Sequence, residues 1–579
     1  MFQKMLIANR GEIAIRIIRA CRELGISPIA VYTEADRESR HARMADQAFG
    51  LGDAGYLDMA RIWDVAREAG CDSLHPGYGF LAENAEFARG TVERGMAWIG
   101  PNAKAIAEMG SKLAARRIAE SVGVPIVPGK TEPVSDPAEV LAFGAQYGYP
   151  LLIKAAAGGG GRGQVVVNTP DEVVPALERA QREGASYFGS GEVYIERFLT
   201  HPRHIEVQVV ADKHGHVVHL GERDCTIQRR NQKLVEEAPS PVVNPELRER
   251  FGAAAVAVAE AVGYDSVGTV EFMYQDGDFY FLEMNTRIQV EHTVTELVYD
   301  VDLVKEMIRI ADGAPLSPKL LNAAPQGWAI QVRVNAEDPS ANYRPTPGKL
   351  LRYERPEGPG VRVDSAAYEG WTIPNAYDSM IAKLITWGAD REEAIARMKR
   401  ALGEMIVEGV PTTLPLHQVI MENPHFVGGE FDTGFLKQCL TESEQARIKE
   451  AIDPLVAEGE PGPAKRQFVV EVNSQLFRVT LAEEGGAAAT ATAVKPKASA
   501  KAAHAAKPSD GSVVAPMMSR VVKVNVAAGD AVKAGQPLVV VEAMKMESEL
   551  TSPKDGTVES VGVQVGDTVQ QGQVLVKIV

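Results

Sequence analysis

Hydrophobic positions along this chain recur in three ways: as short apolar runs, at helical spacing, and in strict alternation. Met5 to Ala8 is a short buried-type strand, followed by Asn9-Arg10-Gly11-Glu12. Ile13, Ile17, Ile18 and Cys21 then fall at helical spacing, and Ile26 to Tyr32 reads as the next strand. Strand, glycine turn, helix, strand predicts a doubly wound α/β start. A single glycine after the first strand falls short of a dinucleotide fingerprint. The stretch His75-Pro76-Gly77-Tyr78-Gly79-Phe80-Leu81-Ala82-Glu83-Asn84 predicts a loop leading into a helix. From about Ser111 the character changes: Lys112 stands near a helix start, and Lys154 closes the strand Leu151-Leu152-Ile153. The run Gly158-Gly159-Gly160-Gly161-Arg162-Gly163 follows, then a strand from Gln164 to Val167. A glycine-rich loop between two strands can lay its N–H groups over phosphates, and the two lysines can neutralise them. The spacing is not that of a Walker loop. Glu192 to Leu199 reads as a strand ending in a segment able to meet an adenine edge.

Alternation is most informative between Thr269 and Glu291. Two strand-like runs, Thr269 to Tyr274 and Phe279 to Glu283, flank Asp276-Gly277-Asp278, a hairpin signal. With those three residues as the loop, Gln275 pairs with Phe279 and Glu271 stands opposite Glu283; a two-residue loop would put the carboxylates on opposite faces. Two carboxylates side by side repel unless a cation lies between them, and hard oxygen ligands near phosphate suit Mg²⁺. Continued at period two, the extended chain places Glu283, Asn285, Arg287, Gln289 and Glu291 on one side, with Met284, Ile288 and Val290 on the other. Five polar side chains from one segment then project together as metal ligand, anion clamp and second carboxylate. Trp328 to Asn335 also alternates, placing Arg333 beside Gln331 and Asn335, and Gln228-Arg229-Arg230-Asn231-Gln232-Lys233 adds cations suited to anions.

Near the C-terminus, Gln467 to Leu481 alternates like an isolated hairpin, and Gly485 to Pro508 is an Ala-, Lys-, Thr- and Pro-rich linker. As flexible coil, about twenty-five such residues would span roughly 25–30 Å, and about 80 Å at full stretch. Val526, Gly529, Asp530, Val532, Gly535, Gln536, Leu538 and Val539 then recur as Val563, Gly566, Asp567, Val569, Gly572, Gln573, Leu575 and Val576. Two similar all-β halves around a pseudo-twofold are predicted. Lys545, within Val541-Glu542-Ala543-Met544-Lys545-Met546-Glu547, falls between them at a hairpin tip, where a primary amine can carry a group.

With 579 residues and 45% hydrophobic content, the chain has core enough for three to five domains. A net charge of -16 argues against a nucleic-acid partner. It leaves ATP open, because phosphates are read by local clusters. The four cysteines (Cys21, Cys71, Cys225, Cys439) show no metal or disulfide spacing. Met1 leads straight into a strand without room for a signal peptide, and no apolar window approaches membrane-spanning length. A cytoplasmic protein, with neither nucleic acid nor membrane as partner, is expected.

These residues carry a family resemblance. Ile7-Ala8-Asn9-Arg10-Gly11-Glu12-Ile13-Ala14, His75 to Asn84, Glu222-Arg223-Asp224-Cys225, Glu283-Met284-Asn285-Thr286-Arg287-Ile288-Gln289-Val290-Glu291-His292 and Tyr377-Asp378-Ser379-Met380 resemble biotin carboxylase, an ATP-grasp enzyme. Ala543-Met544-Lys545-Met546 resembles the tip of the biotinyl carrier domain. The resemblance implies a multidomain chain of α/β and α+β type: a Rossmann-like N-terminal domain at 1–110, an ATP-grasp domain with a glycine-rich lid at 111–322, and a β-rich C-terminal domain at 323–445. A linker with a hairpin-like segment at 446–510 and a flattened all-β barrel at 511–579 complete it. In the family reading, ATP would activate bicarbonate as carboxyphosphate. Glu291 would be the general base, with Lys233, Arg287, Gln289 and the Val290 backbone around bicarbonate. A carboxylate beside Arg287 and Lys233 should have a low pKa. Lys112, Lys154, Gly160, Gly161, His204, Gln228 and Asn231 would hold ATP, and Glu196, Arg197, Phe198 and Leu199 would line the adenine. Glu271, Glu283 and Asn285 would bind Mg²⁺ or Mn²⁺, Arg333 would stabilise the enolate oxygen of biotin, and Lys545 would carry biotin covalently. Implied partners are a separate carboxyltransferase (β) subunit, acyl-CoA through that subunit, and biotin protein ligase. The chain would be the α subunit of a hetero-oligomeric acyl-CoA carboxylase of acetyl- or propionyl-CoA type. The same half-reaction with another acceptor (pyruvate, methylcrotonyl-CoA or urea) and a non-catalytic carrier or scaffold are the competing readings. Two departures stand out: Asn231 where many members have histidine, and Thr293 where proline is usual, the second expected to matter little.

Overall fold

The computed structural model describes residues 1–130, 132–156, 163–188, 190–456, 466–472, 475–481, 512–515, 519–543, 546–569 and 572–579. Contacts divide the chain into one unit of Met1–Pro374 with Ser379–Glu450 and another of Asn375–Asp378 with Ala451–Val579. The first opens with a parallel sheet in the order Gln47–Gly50, Ser27–Tyr32, Lys4–Ile7, Ser73–His75 and Ala97–Trp98. The helix Gly11–Glu23 buries Ile13, Ile17, Ile18 and Cys21, as their spacing predicts. Its core is shared with Ile288, Val294, Val298 and Met307, so the N-terminal layer and the segment around Glu291 pack as one body. Asn9 pins the following loop by donating to Pro76 O at 2.7 Å and Tyr78 O at 2.8 Å. Gly77 between them has φ +64°, and a Cβ there would lie 2.8 Å from Asn9 Nδ2, so only glycine fits.

Eight antiparallel strands form the main sheet, in the order Asp278–Asn285, Val267–Gln275, Arg203–Ala211, Val217–Arg229, Gln232–Ala238, Trp328–Asn335, Met380–Gly388 and Val361–Ser365. The sheet runs without a break from the strands expected of the ATP-grasp domain into those expected of the C-terminal domain, Glu236 facing Gln331 across that seam. A smaller sheet carries the lid strands: Gln164–Val167, Leu151–Ala155 and Val193–Arg197.

Two sequence expectations need correction here. The hairpin after Val267–Gln275 has a two-residue turn, with Gln275 facing Asp278 and φ of +55° at Asp276 and +91° at Gly277. Glu271 nevertheless faces Glu283, because Phe272 faces Phe281 and a bulge absorbs Leu282. The pairing holds for a reason the alternation alone does not contain. Second, the strand ends at Asn285: residues 286–291 are bends and turn, Glu291 has φ -86° and ψ 7°, and a helix starts at His292. Period two does not continue to Glu291.

The second unit holds two four-stranded sheets, ordered Ser512–Val514, Val574–Ile578, Gly556–Val561, Ala531–Val532 and Met546–Thr551, Pro537–Ala543, Ser519–Val524, Thr568–Val569. The repeat is structural. Gly529 and Gly566 have φ +98° and +99°, Gly535 and Gly572 +83° and +80°. Asp530 and Asp567 each accept a backbone N–H at 2.8 Å, from Ala527 and Gln564. Ala543 faces Met546 across the hairpin; Lys545, with Met544, lies outside the described residues. So does the linker at 485–508, whereas the hairpin before it forms from Arg466–Val472 and Gln475–Leu481.

Candidate active site

The site is built around a lysine. Lys233, at the start of the strand Gln232–Ala238, places Nζ 2.9 Å from Glu271 Oε1 and 2.7 Å from Glu291 Oε1, and it also bonds Glu206. Burial opposes its charge, but the three carboxylates outweigh burial and hold it well above the ordinary lysine range. Glu271 collects donors: Asn285 Nδ2 and Gln289 Nε2 each donate to Oε1 at 2.8 Å, and His204 Nε2 lies 3.0 Å from Oε2. Burial pushes the Glu271 carboxyl up, yet Lys233 and His204 carry it well below the carboxylate range.

Glu291 is nearly inaccessible. Its second oxygen lies 3.0 Å from Arg333 Nη2, and Arg333 Nε is 2.6 Å from Glu236. Alternation placed Gln331 beside Arg333, and Gln331 Nε2 donates to the other Glu236 oxygen at 3.0 Å. Burial raises the Glu291 carboxyl, but Lys233, Arg333 and Arg223 outweigh it and leave it far below the usual range. The direction matches expectation and the partners partly do not. Arg287 turns instead to Glu83, at 3.1 Å, and to Asn285 Oδ1, at 2.8 Å.

The remaining predicted residues divide. Lys112 opens the helix Lys112–Ser121 behind the cap of Ser111. Lys154 pairs with Glu196, which also meets Arg116 Nη1 at 3.1 Å. The Arg197 side chain is exposed, Phe198 half-buried and Leu199 buried; Arg197 N donates to Pro128 O and Phe198 N to Pro150 O. Gln228 faces Lys233 in the ladder. Asn231 is exposed at the turn of that hairpin, with φ +66° beside Arg230 at +47°. Asparagine tolerates this backbone well. Gly160 and Gly161 lie outside the described residues.

The Glu283 carboxylate has no hydrogen bond or ion pair among the described residues, and burial together with Glu271 raises its carboxyl. Glu283, Glu271 and Asn285 offer hard oxygen donors of the kind that would hold a divalent ion.

Sequence reasoning gave no role to Glu206, Glu236, Arg223 or Glu83, although Arg223 and Glu83 lie in stretches that carry the resemblance. Arg223, fully buried, donates to Gln208, Thr295, Thr269 and Gln289 and pairs with Glu206. Period two from His204 marks Glu206, on the same face of the strand. Thr293 is engaged too: its hydroxyl donates to Gln331 Oε1, a bond proline could not make.

Comparison with known proteins agrees with this geometry. Residues 1–106 match the biotin carboxylase N-terminal domain, and 111–319 the carbamoyl-phosphate synthase L chain ATP binding domain. Residues 331–438 match the biotin carboxylase C-terminal domain, and 511–578 the family described as biotin-requiring enzyme. Biotin carboxylase 1 of Bacillus subtilis is 53% identical over 443 residues, 76% of this chain and 98% of that protein. The biotin-dependent acyl-coenzyme A carboxylase alpha3 subunit of Mycobacterium leprae is 43% identical over 566 residues, 96% of this chain and 94% of that one. Among solved structures, the biotin carboxylase domain dimer of Hydrogenobacter thermophilus 2-oxoglutarate carboxylase, in complex with MgADP, ADP and bicarbonate, is 47% identical. The match has a TM-score of 0.73 and covers 76% of this chain and 98% of that one. No helix among the described residues is long and apolar enough to cross a membrane.

Proposed function

The chain belongs to the biotin carboxylase family, which carboxylates biotin with ATP and Mg²⁺, and from that premise we propose that it is the α subunit of an acyl-CoA carboxylase. It would carry biotin on its own Lys545 and serve acetyl-CoA or propionyl-CoA through a separate carboxyltransferase subunit, in a cytoplasmic hetero-oligomer. A biotin protein ligase would load Lys545. The observation that carries this reading is the full-length likeness to an acyl-CoA carboxylase α subunit, catalytic and carrier parts in one chain. We take the domains as 1–110, 111–322, 323–445, a linker at 446–510, and a carrier at 511–579.

In this reading Lys112, Lys154, His204, Gln228, Asn231 and the loop with Gly160 and Gly161 hold the nucleotide phosphates and sugar. Glu196 to Leu199 line the adenine. Glu271, Glu283 and Asn285 hold Mg²⁺ or Mn²⁺, which when bound draws charge from the transferring phosphoryl group. Bicarbonate sits against Lys233, Arg287, Gln289 and the Val290 N–H. Glu291 takes its proton. Held below the usual carboxylate range by Lys233 and Arg333, Glu291 is a weak base. The drive must come from phosphoryl transfer to the bicarbonate oxygen. Arg333, braced by Glu236, offers a fixed positive charge where negative charge develops on the ureido oxygen of biotin.

A second reading, the same half-reaction serving a keto acid, draws on the likeness to the 2-oxoglutarate carboxylase domain. Co-purification of the partner, followed by bicarbonate fixation assays on acetyl-CoA, propionyl-CoA, pyruvate and 2-oxoglutarate, separates the two. Turnover of a keto acid alone would overturn the acyl-CoA assignment. Bicarbonate-dependent ATP hydrolysis that free biotin does not stimulate would overturn both.

A further inference from the structure

We propose that Lys383 is a positioning residue that fixes the Val290–Glu291 peptide and makes it depend on both flanking domains. This rests on the reading that Val290 and Glu291 meet bicarbonate.

Lys383 lies on the strand Met380–Gly388 and is fully buried, a state lysine adopts only when paired. Its Nζ donates to Val290 O at 3.0 Å. The same ammonium lies 3.0 Å from Glu12 Oε2 and 3.8 Å from Asp364 Oδ2. Glu12 comes from the first helix of the N-terminal domain and also accepts from Tyr78 OH, in the loop that Asn9 pins. Asp364 comes from the neighbouring C-terminal strand and is held by Arg362 at 2.7 Å. One cation therefore ties a carboxylate before the ATP-grasp domain, a carboxylate after it, and a carbonyl inside the catalytic segment.

A peptide is planar, so holding a carbonyl aims the N–H on its other side. Lys383 holds the carbonyl of the 290–291 peptide and so aims the Glu291 N–H and the start of its side chain. One residue earlier, His292 Nδ1 lies 2.7 Å from Gln289 O, the carbonyl of the 289–290 peptide. That bond aims the Val290 N–H. Residues 286–291 lie outside any strand or helix, so apart from the His292 N–H on Gln289 O at 3.3 Å these two planes are set by side chains. Lys383 and His292 grip these carbonyls, whereas Lys233 and Arg333 hold the Glu291 carboxylate.

Steady-state ATP hydrolysis with free biotin, on the full-length protein, tests this through Lys383→Met and Glu12→Gln, with Glu291→Gln as the control for the underlying reading. A misaimed peptide should raise the bicarbonate KM of Lys383→Met about tenfold or more and leave the ATP KM within about twofold. Glu12→Gln keeps a neutral partner and should raise the bicarbonate KM by a smaller factor, in the same direction. Lys383→Met of native circular dichroism with an unchanged bicarbonate KM would overturn the inference, and so would an equal rise in both KM values, the mark of a merely structural role. If Lys383→Met does not accumulate, Glu12→Gln decides, and an unchanged bicarbonate KM there overturns it. Full activity in Glu291→Gln would instead sink the bicarbonate reading itself. An inactive Glu291→Gln beside a wild-type Lys383→Met would sink only the role of Lys383.

Discussion

Replacing Lys233 by methionine removes a cation shared by Glu206, Glu271 and Glu291. Deleting one partner of a buried ion pair costs about 3–5 kcal/mol, chiefly because a charge is left uncompensated. Here Glu206, Glu271 and Glu291 keep Arg223, His204 and Arg333 as other partners, and the lysine side chain is 11% exposed, so the lower end applies, about 3 kcal/mol. With an unfolding entropy of about 2.1 cal/mol/K per residue and roughly 450 residues in the catalytic unit, that lowers the melting temperature by about 3 °C. The pH dependence separates this cause from a packing defect. Without Lys233, burial should lift the folded pKa of Glu271 or Glu291 above its unfolded value. A group of that kind adds stability at pH below its raised pKa and loses it as pH rises through that pKa. The deficit of Lys233→Met against wild type should therefore be largest near pH 8 and shrink towards pH 6. Scanning calorimetry at matched scan rates reads both quantities, and Lys233→Arg, which keeps the charge, should recover most of the loss. A deficit under about 1 °C at pH 8, or one that stays constant between pH 8 and 6, would refute the reasoning.

Acid should weaken the wild-type fold through histidines buried in the neutral state: burial lowers His41 and His417 to about 4, and His75 and His292 to about 3. Folded values below the unfolded one mean stability fully present above about pH 7 and lost as pH falls from about 6.5 towards 4, at up to about 1.4 kcal/mol per pH unit for each. A melting temperature flat from pH 7 to 5 would contradict this. Glu283→Gln removes the repulsion from Glu271, so the metal-free protein should be as stable as wild type or slightly more so, while the Mg²⁺ concentration needed for half-maximal activity rises about tenfold or more; a metal titration with parallel melts checks both. Lys545→Arg should abolish labelling by streptavidin and leave carboxylation of free biotin intact, and residual labelling would move the attachment point elsewhere.

Periodicity carried much of the site, but through distances along the chain rather than across it. Alternation in Trp328–Asn335 put Arg333 and Gln331 on one face because that strand is regular. Glu271 and Glu283 were paired by assuming the wrong turn, and a bulge restored what the turn length took away. Bulges leave no mark in a hydrophobic pattern, so this step was not legible. Beyond Asn285, Gln289 and Glu291 still converge although the backbone is no longer extended, drawn in by Glu271, Lys233 and Arg223, whereas Arg287 turns to Glu83. The partners that anchor the site, Glu206, Glu236 and Lys383, come from strands distant in sequence, and only the sheet order brings them together. The repeat behind Lys545 was the most legible feature, because glycines with positive φ and aspartates bonding their own turns must recur wherever the turn recurs.

The unbroken eight-stranded sheet limits how this enzyme can be taken apart. Cutting the chain near residue 322 would look natural from the family matches, yet it would part Gln232–Ala238 from Trp328–Asn335, which lie side by side in the sheet interior. Each fragment would then bare an unpaired strand edge of seven or eight residues, an open template for pairing with other chains. Glu236 would also part from Arg333. Swapping the later half for a relative's, in the hope of changing what the enzyme recognises, would have to transplant that seam as a matched pair of strands; the natural joints for shuffling lie at its outer edges.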